Sequence, residues 1–383
     1  MRLVRALDLI RGAILCALVA CNTPSDAQPS KPAPAGPAVA SAPALPATYV
    51  QLCVQCHGKD LKGYAADHAP SLINPTFLES ATDAFLFNSI ALGRPGTAMA
   101  AYGKQKSGPL DDAAITALVA FLRTQGPPPR QLAATALGDA GRGAASYLKN
   151  CQSCHGDSKV RGEAPMLANP EFQKVATDAF LRYAIEVGRP NTKMVAWKAL
   201  LPPQEIDDLL AYIRLLGAPP PPESQLPEPT GKEPLVINPR GKSPVFKLRA
   251  DPCPKDQKCE DPRFVPADQV AAALKAGQRM IIIDARPKSE WMRVHVTGAV
   301  SIPHHDLKRL DEVPKDGTYV IAYCACPHHL SGIVVDELRK RGYKNAVVLD
   351  EGILEWHRRG YPVEAAPGVQ APPKEQIQQA PLR

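Results

Sequence analysis

Apolar and polar positions fall into distinct textures along this chain. An apolar run from Ala13 to Ala20 follows Arg2, Arg5 and Arg11; it is short for a membrane span and has the length of the apolar region of an export signal. Residues 22–46 hold Pro, Ala and Ser with almost no large apolar side chain, which predicts a tether rather than a core. Further on, Ile115, Leu118, Val119 and Leu122 recur at helical spacing within Asp111–Thr124, and a similar amphipathic stretch covers Gln204–Leu215. A glycine stops each stretch, Gly126 and Gly217, with prolines close behind. From 218 to 244 the run Pro219–Pro222 and scattered charge predict a semi-rigid spacer that leaves its two sides separable. Past Asp261, Met280–Ile283, Tyr319–Tyr323 and Ala346–Leu349 read as buried strands, with Gln269–Ala276 and Val334–Arg341 as helices. That alternation predicts a parallel sheet in an α/β domain.

These textures divide the 383 residues into a multi-domain chain. The expected segments are a signal peptide over 1–20, a tether over 21–45, all-α domains over 46–126 and 139–217, a Pro-rich linker over 218–261, an α/β domain over 262–364, and a disordered Pro- and Gln-rich tail over 365–383.

The two all-α segments repeat one another. Cys53-Val-Gln-Cys56-His57 and Cys151-Gln-Ser-Cys154-His155 are both C-x-x-C-H, and Tyr49 and Tyr147 each precede the first cysteine by four residues. Asn74-Pro75 answers Asn169-Pro170, Ala81–Leu86 recurs identically as Ala176–Leu181, and Gly93-Arg-Pro95 recurs as Gly188-Arg-Pro190. The offset is 98 residues at the cysteines and 95 at the later landmarks, so a three-residue indel separates the copies. A lone C-x-x-C-H also fits a zinc half-site or a redox pair. Two copies in matching surroundings point to haem c attachment, in which two thiols become thioethers and the adjacent histidine ligates iron.

The repeat also selects a second axial ligand. Met99 and Met194 are 95 residues apart, and each is followed three residues later by an aromatic, Tyr102 or Trp197. His68 aligns with Glu163 and Met166 with Ser71, so neither occurs in both copies, and both are assigned to surface or packing roles. The order of Tyr-bearing helix, C-x-x-C-H, Gly-Arg-Pro loop with Met, and final helix resembles class I cytochrome c twice, over residues 46–217. The resemblance implies two haem c groups with His57/Met99 and His155/Met194 on iron, and electron transfer rather than catalysis at the metal.

Leu18-Val19-Ala20-Cys21 resembles the lipobox of bacterial lipoproteins, which implies cleavage before Cys21 and acylation of its thiol. The implied location is the periplasmic face of a bacterial membrane. Asn22 after Cys21 slightly favours the outer membrane. Loss of residues 1–20 removes three Arg and one Asp and lowers the net charge from +7 to +5, and nothing points to nucleic acid. Of the ten cysteines, Cys16 leaves with the signal and eight beyond Cys21 form four close pairs. Cys253 and Cys259 are assigned to a small disulfide in an oxidising compartment, ahead of free thiols or a metal site.

In the last domain, Ile283-Asp284-Ala-Arg286-Pro, Val294-His295-Val-Thr-Gly298 through Pro303, Tyr323-Cys324, and Leu349-Asp-Glu-Gly352 with Trp356, Gly360 and Pro362 resemble the rhodanese domain over about 262–364. The resemblance implies that Cys324 carries a persulfide cradled by backbone N–H groups at a helix N-terminus. The loop reads Cys324-Ala-Cys326-Pro327-His328-His329, so a proline removes an N–H donor and histidines stand where arginine is common, which puts sulfur transfer from thiosulfate in doubt. Cys326 is a candidate resolving thiol, and with His328 and His329 the loop also fits a soft metal. Asp284, Arg286 and His295 are expected to brace the sheet. Whether the protein is an enzyme stays open at this level. It is either a sulfur oxidoreductase acting on sulfane-sulfur compounds, or an electron carrier serving periplasmic redox proteins.

Overall fold

The duplicated Ala-Thr-Asp-Ala-Phe-Leu segment folds alike in both copies because it carries its own cap. Thr82 and Thr177 accept the backbone N–H of Phe85 and Phe180 and start the helices Asp83–Leu92 and Asp178–Val187. Asn74 and Asn169 cap the preceding short helices in the same way, each with proline at the first helical position.

The computed structural model describes residues 44–64, 69–217, 227–250, 262–325 and 328–378, and from Leu45 onward these belong to one compact unit. The first domain contains α1 (Ala47–Leu52), α2 (Val54–His57), α3 (Pro75–Ser80), α4 (Asp83–Leu92) and α5 (Asp112–Arg123). The second repeats them as α6 (Ala140–Asn150), α7 (Gln152–His155), α8 (Pro170–Val175), α9 (Asp178–Val187) and α10 (Pro203–Leu216). The periodic residues Ile115, Leu118, Val119 and Leu122 are all buried, each contributing roughly 1.5–3 kcal/mol.

The third domain is α/β. Its strands are β1 (Val236–Ile237), β2 (Phe264–Val265), β3 (Met280–Asp284), β4 (His295–Val296), β5 (Val300–Ser301), β6 (Val320–Tyr323), β7 (Ala346–Leu349) and β8 (Val363–Glu364). Its helices are α11 (Ala267–Lys275), α12 (Lys288–Arg293), α13 (His329–Lys340) and α14 (Gly352–Arg358). The main sheet runs β1-β3-β6-β7-β2, with β5 also on β3, and its core is parallel as expected. β1 joins antiparallel through Val236↔Ile281 and makes the sheet mixed.

Three expectations are corrected here. Within its described residues, 227–250, the linker is more than a semi-rigid spacer: Val236 and Ile237 complete the sheet edge, and Phe246 is buried in the third domain's core. The end of the chain is not disordered over 365–378: Ala366 and Ile377 are buried and Lys374–Gln376 forms a turn of 3₁₀ helix. The two sides of the linker are not separable arms, because α13 packs against α2 and the Ser289 hydroxyl donates to the Ala101 carbonyl at 3.0 Å. Cys21, Cys253, Cys259, Cys326 and His68 lie outside the described residues. Among the described residues no helix is long and apolar enough to cross a membrane.

A pH dependence follows from the strand-end pair His304 and His305, whose rings meet at 5.1 Å. Burial, then the neighbouring His304, pushes the His305 pKa down to about 4. An unfolded histidine titrates near 6.5, so between those values the unfolded chain binds the extra proton. Folding stability therefore falls as pH drops through that window, by roughly 2–3 kcal/mol in all. A His305→Gln variant is expected to flatten this acid slope in urea midpoints measured from about pH 7 to about pH 4. A slope equal to that of the parent would assign the effect to other groups.

Candidate functional site

Each C-x-x-C-H straddles a break between two helices. Cys53 ends α1, with its N–H on the Tyr49 carbonyl at 2.9 Å, and its own carbonyl accepts the N–H of His57 at 2.9 Å. Cys151 does the same between α6 and α7. The tyrosine four residues earlier holds this turn: Tyr49 donates its hydroxyl to the Gly58 carbonyl at 2.8 Å, and Tyr147 donates to Gly156 at 2.8 Å.

The histidines are set by proline carbonyls. His57 Nδ1 lies 3.2 Å from the Pro70 carbonyl and His155 Nδ1 2.8 Å from that of Pro165. A carbonyl only accepts, so Nδ1 carries the proton and Nε2 keeps its lone pair for a metal. Pro70 and Pro165 obey the 95-residue offset. That offset was the one sequence signal for their role. Burial lowers the pKa of both histidines and favours the neutral ligand form. Burial also pushes the Cys53 and Cys151 thiols up to about 12 and about 11, unlike the low-pKa thiols of a redox pair.

Each methionine sits in a loop tied by the same bonds. Arg94 N–H donates to the Met99 carbonyl at 2.7 Å, Thr97 Oγ1 to the Arg94 carbonyl at 2.7 Å, and Met99 N–H to Thr97 Oγ1 at 3.0 Å. Arg189, Thr192 and Met194 repeat these at 2.8, 2.7 and 3.1 Å. Gly93 and Gly188 open the loops at φ +64° and +71°, and an added Cβ would lie 2.5–2.6 Å from backbone atoms of the Met loop, which explains glycine at both positions.

The same loops join the two domains. Asn74 Nδ2 donates to the Pro190 carbonyl and Asn169 Nδ2 to the Pro95 carbonyl, both at 3.0 Å. Phe85 stacks on Phe180 at 4.6 Å, with Phe77 against Phe180 and Phe172 against Phe85 edge-on. Each pair is exchanged by the offset, so the domains face one another across a pseudo-two-fold axis. Beside it lie Arg94 and Arg189, whose guanidinium pKa values burial pulls down to about 10. Among the described residues neither is hydrogen-bonded to a carboxylate. Two half-buried cations beside the Met loops suit a ligand that brings its own carboxylates, and the arrangement fits haem c at both positions. Met166 is buried in the second domain's core cluster, against which Met194 also packs.

In the third domain Cys324 ends β6 at 1 % exposure, its Sγ 3.4 Å from the Ser331 hydroxyl. His328 has left-handed backbone at φ +74° and donates Nε2–H to the carbonyl and carboxylate oxygens of Asp350, both at 2.9 Å, with its ring stacked on Phe264. His329 opens α13, its ring 6.3 Å from that of Tyr64 in the first domain. Asp284 and Arg286 form a fully buried pair, and His295 stacks on Trp291 with Nδ1 on the Trp291 carbonyl. Among the described residues no His, Cys, Asp and Glu cluster suits a metal ion.

The family described as "Cytochrome C oxidase, cbb3-type, subunit III" matches residues 40–122 and 138–213, and the rhodanese-like domain family matches 266–359. The chain is similar to the cytochrome bc1 complex cytochrome c subunit of Mycobacterium tuberculosis, 28 % identical over 179 residues, covering 43 % of this chain and 59 % of the relative. It is also similar to the cbb3-type cytochrome c oxidase subunit FixP of Bradyrhizobium sp., 31 % identical over 178 residues and covering 43 % and 57 %. The match thus spans less than two thirds of these relatives' length. Among solved structures, a thiosulfate sulfurtransferase from Pseudomonas aeruginosa aligns at 28 % identity over 28 % of this chain and 21 % of that one, with TM-score 0.25.

Proposed function

We propose that this chain, which comprises two cytochrome c domains followed by a rhodanese-like domain, is an exported dihaem electron-transfer protein, anchored through lipid on Cys21, whose rhodanese-like domain feeds electrons from thiol or sulfane-sulfur chemistry into its haem domains. The observation that carries the haem reading is the pair of repeat-equivalent proline carbonyls that leave Nε2 of His57 and His155 ready for a metal. Bound haem supplies a one-electron iron couple, and Cys53, Cys56, His57 and Met99, with Cys151, Cys154, His155 and Met194, would hold it at the two positions.

Support for coupling is the packing of α13, the helix that follows Cys324, on α2, the helix that carries Cys56 and His57. Transfer of a sulfane sulfur from thiosulfate to the Cys324 thiolate releases sulfite and frees no electrons. Electrons appear when the Cys324 thiol and the terminal sulfur of thiosulfate or a polysulfide join in a new S–S bond: two electrons leave per bond with the protons of the S–H groups consumed, and two haems would take one electron each. The test is haem reduction by thiosulfate or polysulfide, followed in the visible spectrum of the mature protein. Cys324→Ser is expected to abolish the reduction that the parent shows. Unchanged kinetics would overturn coupling.

A second reading, a pure carrier with a non-catalytic rhodanese-like domain, draws on two observations. Cys324 is almost fully buried, and His328 is engaged by Asp350 and Phe264 instead of facing an anion cradle.

A further inference from the structure

The two candidate haem sites repeat each other in sequence but not in what covers them. Ala100 is 3 % exposed, and its counterpart Val195 is 51 % exposed. Thr97 and Ala101 are buried where Thr192 and Ala196 are exposed, and Cys56 is half-buried where Cys154 is exposed. The cover on the first site comes from this chain itself. Ala98 packs against the third domain's core, Ser289 bonds to the Ala101 carbonyl, the Gln378 N–H donates to the Gly96 carbonyl at 2.9 Å, and α13 lies on α2.

Around the second site, the Met loop and the loop after His155 come together, with Lys193 Nζ 3.1 Å from the Glu163 carboxylate. Two exposed apolar side chains, Val160 and Val195, lie on these loops, flanked by the exposed Lys159, Lys193 and Lys198. Of the acidic groups there, Asp157 is occupied by the N–H groups of Lys159 and Val160, and Glu163 by Lys193; the chain's end borders the face, where the Arg161 N–H donates to the Glu375 carbonyl at 3.1 Å and Gln376 Nε2 to the Ser158 carbonyl at 3.3 Å, and leaves Val160 exposed. Lys159 and Lys198 make no ion pair among the described residues.

From this asymmetry we propose that the second cytochrome domain, on the face formed by Lys159, Val160, Val195 and Lys198, docks an external redox protein with an acidic rim around its own redox centre, while the first site is reserved for the third domain. The inference rests on the haem reading above. A second copy of this chain would bring like charges onto the face and is disfavoured as occupant.

The test is carbodiimide cross-linking of the haem-loaded, full-length mature protein to a small acidic blue-copper protein, with mapping of the linked lysines. Expected are links at Lys159, Lys193 and Lys198 that fade as salt is raised, and a roughly tenfold lower yield in a Lys159→Glu/Lys198→Glu variant whose visible spectrum is unchanged. Links concentrated on Lys59, Lys62 and Lys104 of the first domain, a yield indifferent to the charge reversal, or a linked homodimer would each overturn the assignment. Absence of a haem spectrum from the same sample overturns the haem reading instead, whatever the link positions.

Discussion

On the dihaem reading proposed above, a chain carrying Cys151→Ala and Cys154→Ala is expected to retain one haem per polypeptide where the parent is expected to hold two. Thioethers are the covalent attachment, so removal of both thiols leaves nothing to retain the porphyrin through denaturing electrophoresis or acid extraction. The first site keeps its own cysteines, its Pro70-oriented histidine and its Met loop, and it shares no ligand with the second. Haem content per polypeptide, read from the alkaline pyridine spectrum against protein concentration, should therefore halve, and the reciprocal Cys53→Ala/Cys56→Ala variant should give the same value. Content equal to that of the parent would exclude the altered cysteines as attachment points. The two variants need not be equally stable. The second domain's final helix packs on a long partner, α6, whereas the first domain rests on the third through Ala98, Ser289 and Gln378.

The largest effect on stability is expected at Arg286. Its guanidinium is 2 % exposed and grips Asp284, itself at 0 %, through Nε–Oδ1 at 2.9 Å and a terminal nitrogen to Oδ2 at 2.7 Å, with a further bond to the Val294 carbonyl at 2.6 Å. Tyr323 donates its hydroxyl to the same carboxylate at 2.9 Å, and the guanidinium lies 5.7 Å from the Tyr323 ring centroid. Burial opposes the Arg286 charge, but Asp284 beside it outweighs burial and raises the pKa above its ordinary value. Arg286→Met strands a carboxylate inside the sheet, a change that costs about 3–5 kcal/mol, a large share of a domain's usual stability. The urea midpoint of the third domain, followed by tryptophan fluorescence, should fall accordingly. Arg286→Met combined with Asp284→Asn should recover part of the loss, because no unpaired charge then remains. A single-variant loss below about 1 kcal/mol would show that water reaches the pair.

Much of the chemistry was legible in the chain because it is written twice. Cys53, Cys56, His57 and Met99 were separable from His68 and Met166 only through their counterparts 98 or 95 residues on. The helix caps Thr82 and Thr177 lie inside an identical hexapeptide, which the sequence shows as a repeat; because local capping needs only neighbouring residues, the two copies fold alike. The role of Pro70 and Pro165 was not read from the sequence, since it depends on a carbonyl meeting a ring across a loop.

Other features depended on residues far apart. Val236 and Ile237 are too short a run to read as a strand, and they become one because β3 offers an open edge about forty residues later. Ile377, in a Pro- and Gln-rich end, is buried because the third domain provides a surface for it. His328 stood in the sequence as a candidate for a catalytic loop; that its ring is fixed by Asp350, 22 residues on, and by Phe264 could be seen only in the fold.

By itself, then, the sequence determined the domain order, the repeated C-x-x-C-H motifs, the matched positions of Met99 and Met194 and the two closing helices of the all-α domains, because each rests on covalent spacing or on local periodicity. Tertiary structure alone decided that the two sites differ. Thr97 and Thr192 are the same residue in the same local turn; the third domain and Gln378 pack on the first Met loop and bury Thr97, whereas the chain's end meets the second domain at Ser158 and Arg161 and Thr192 stays exposed.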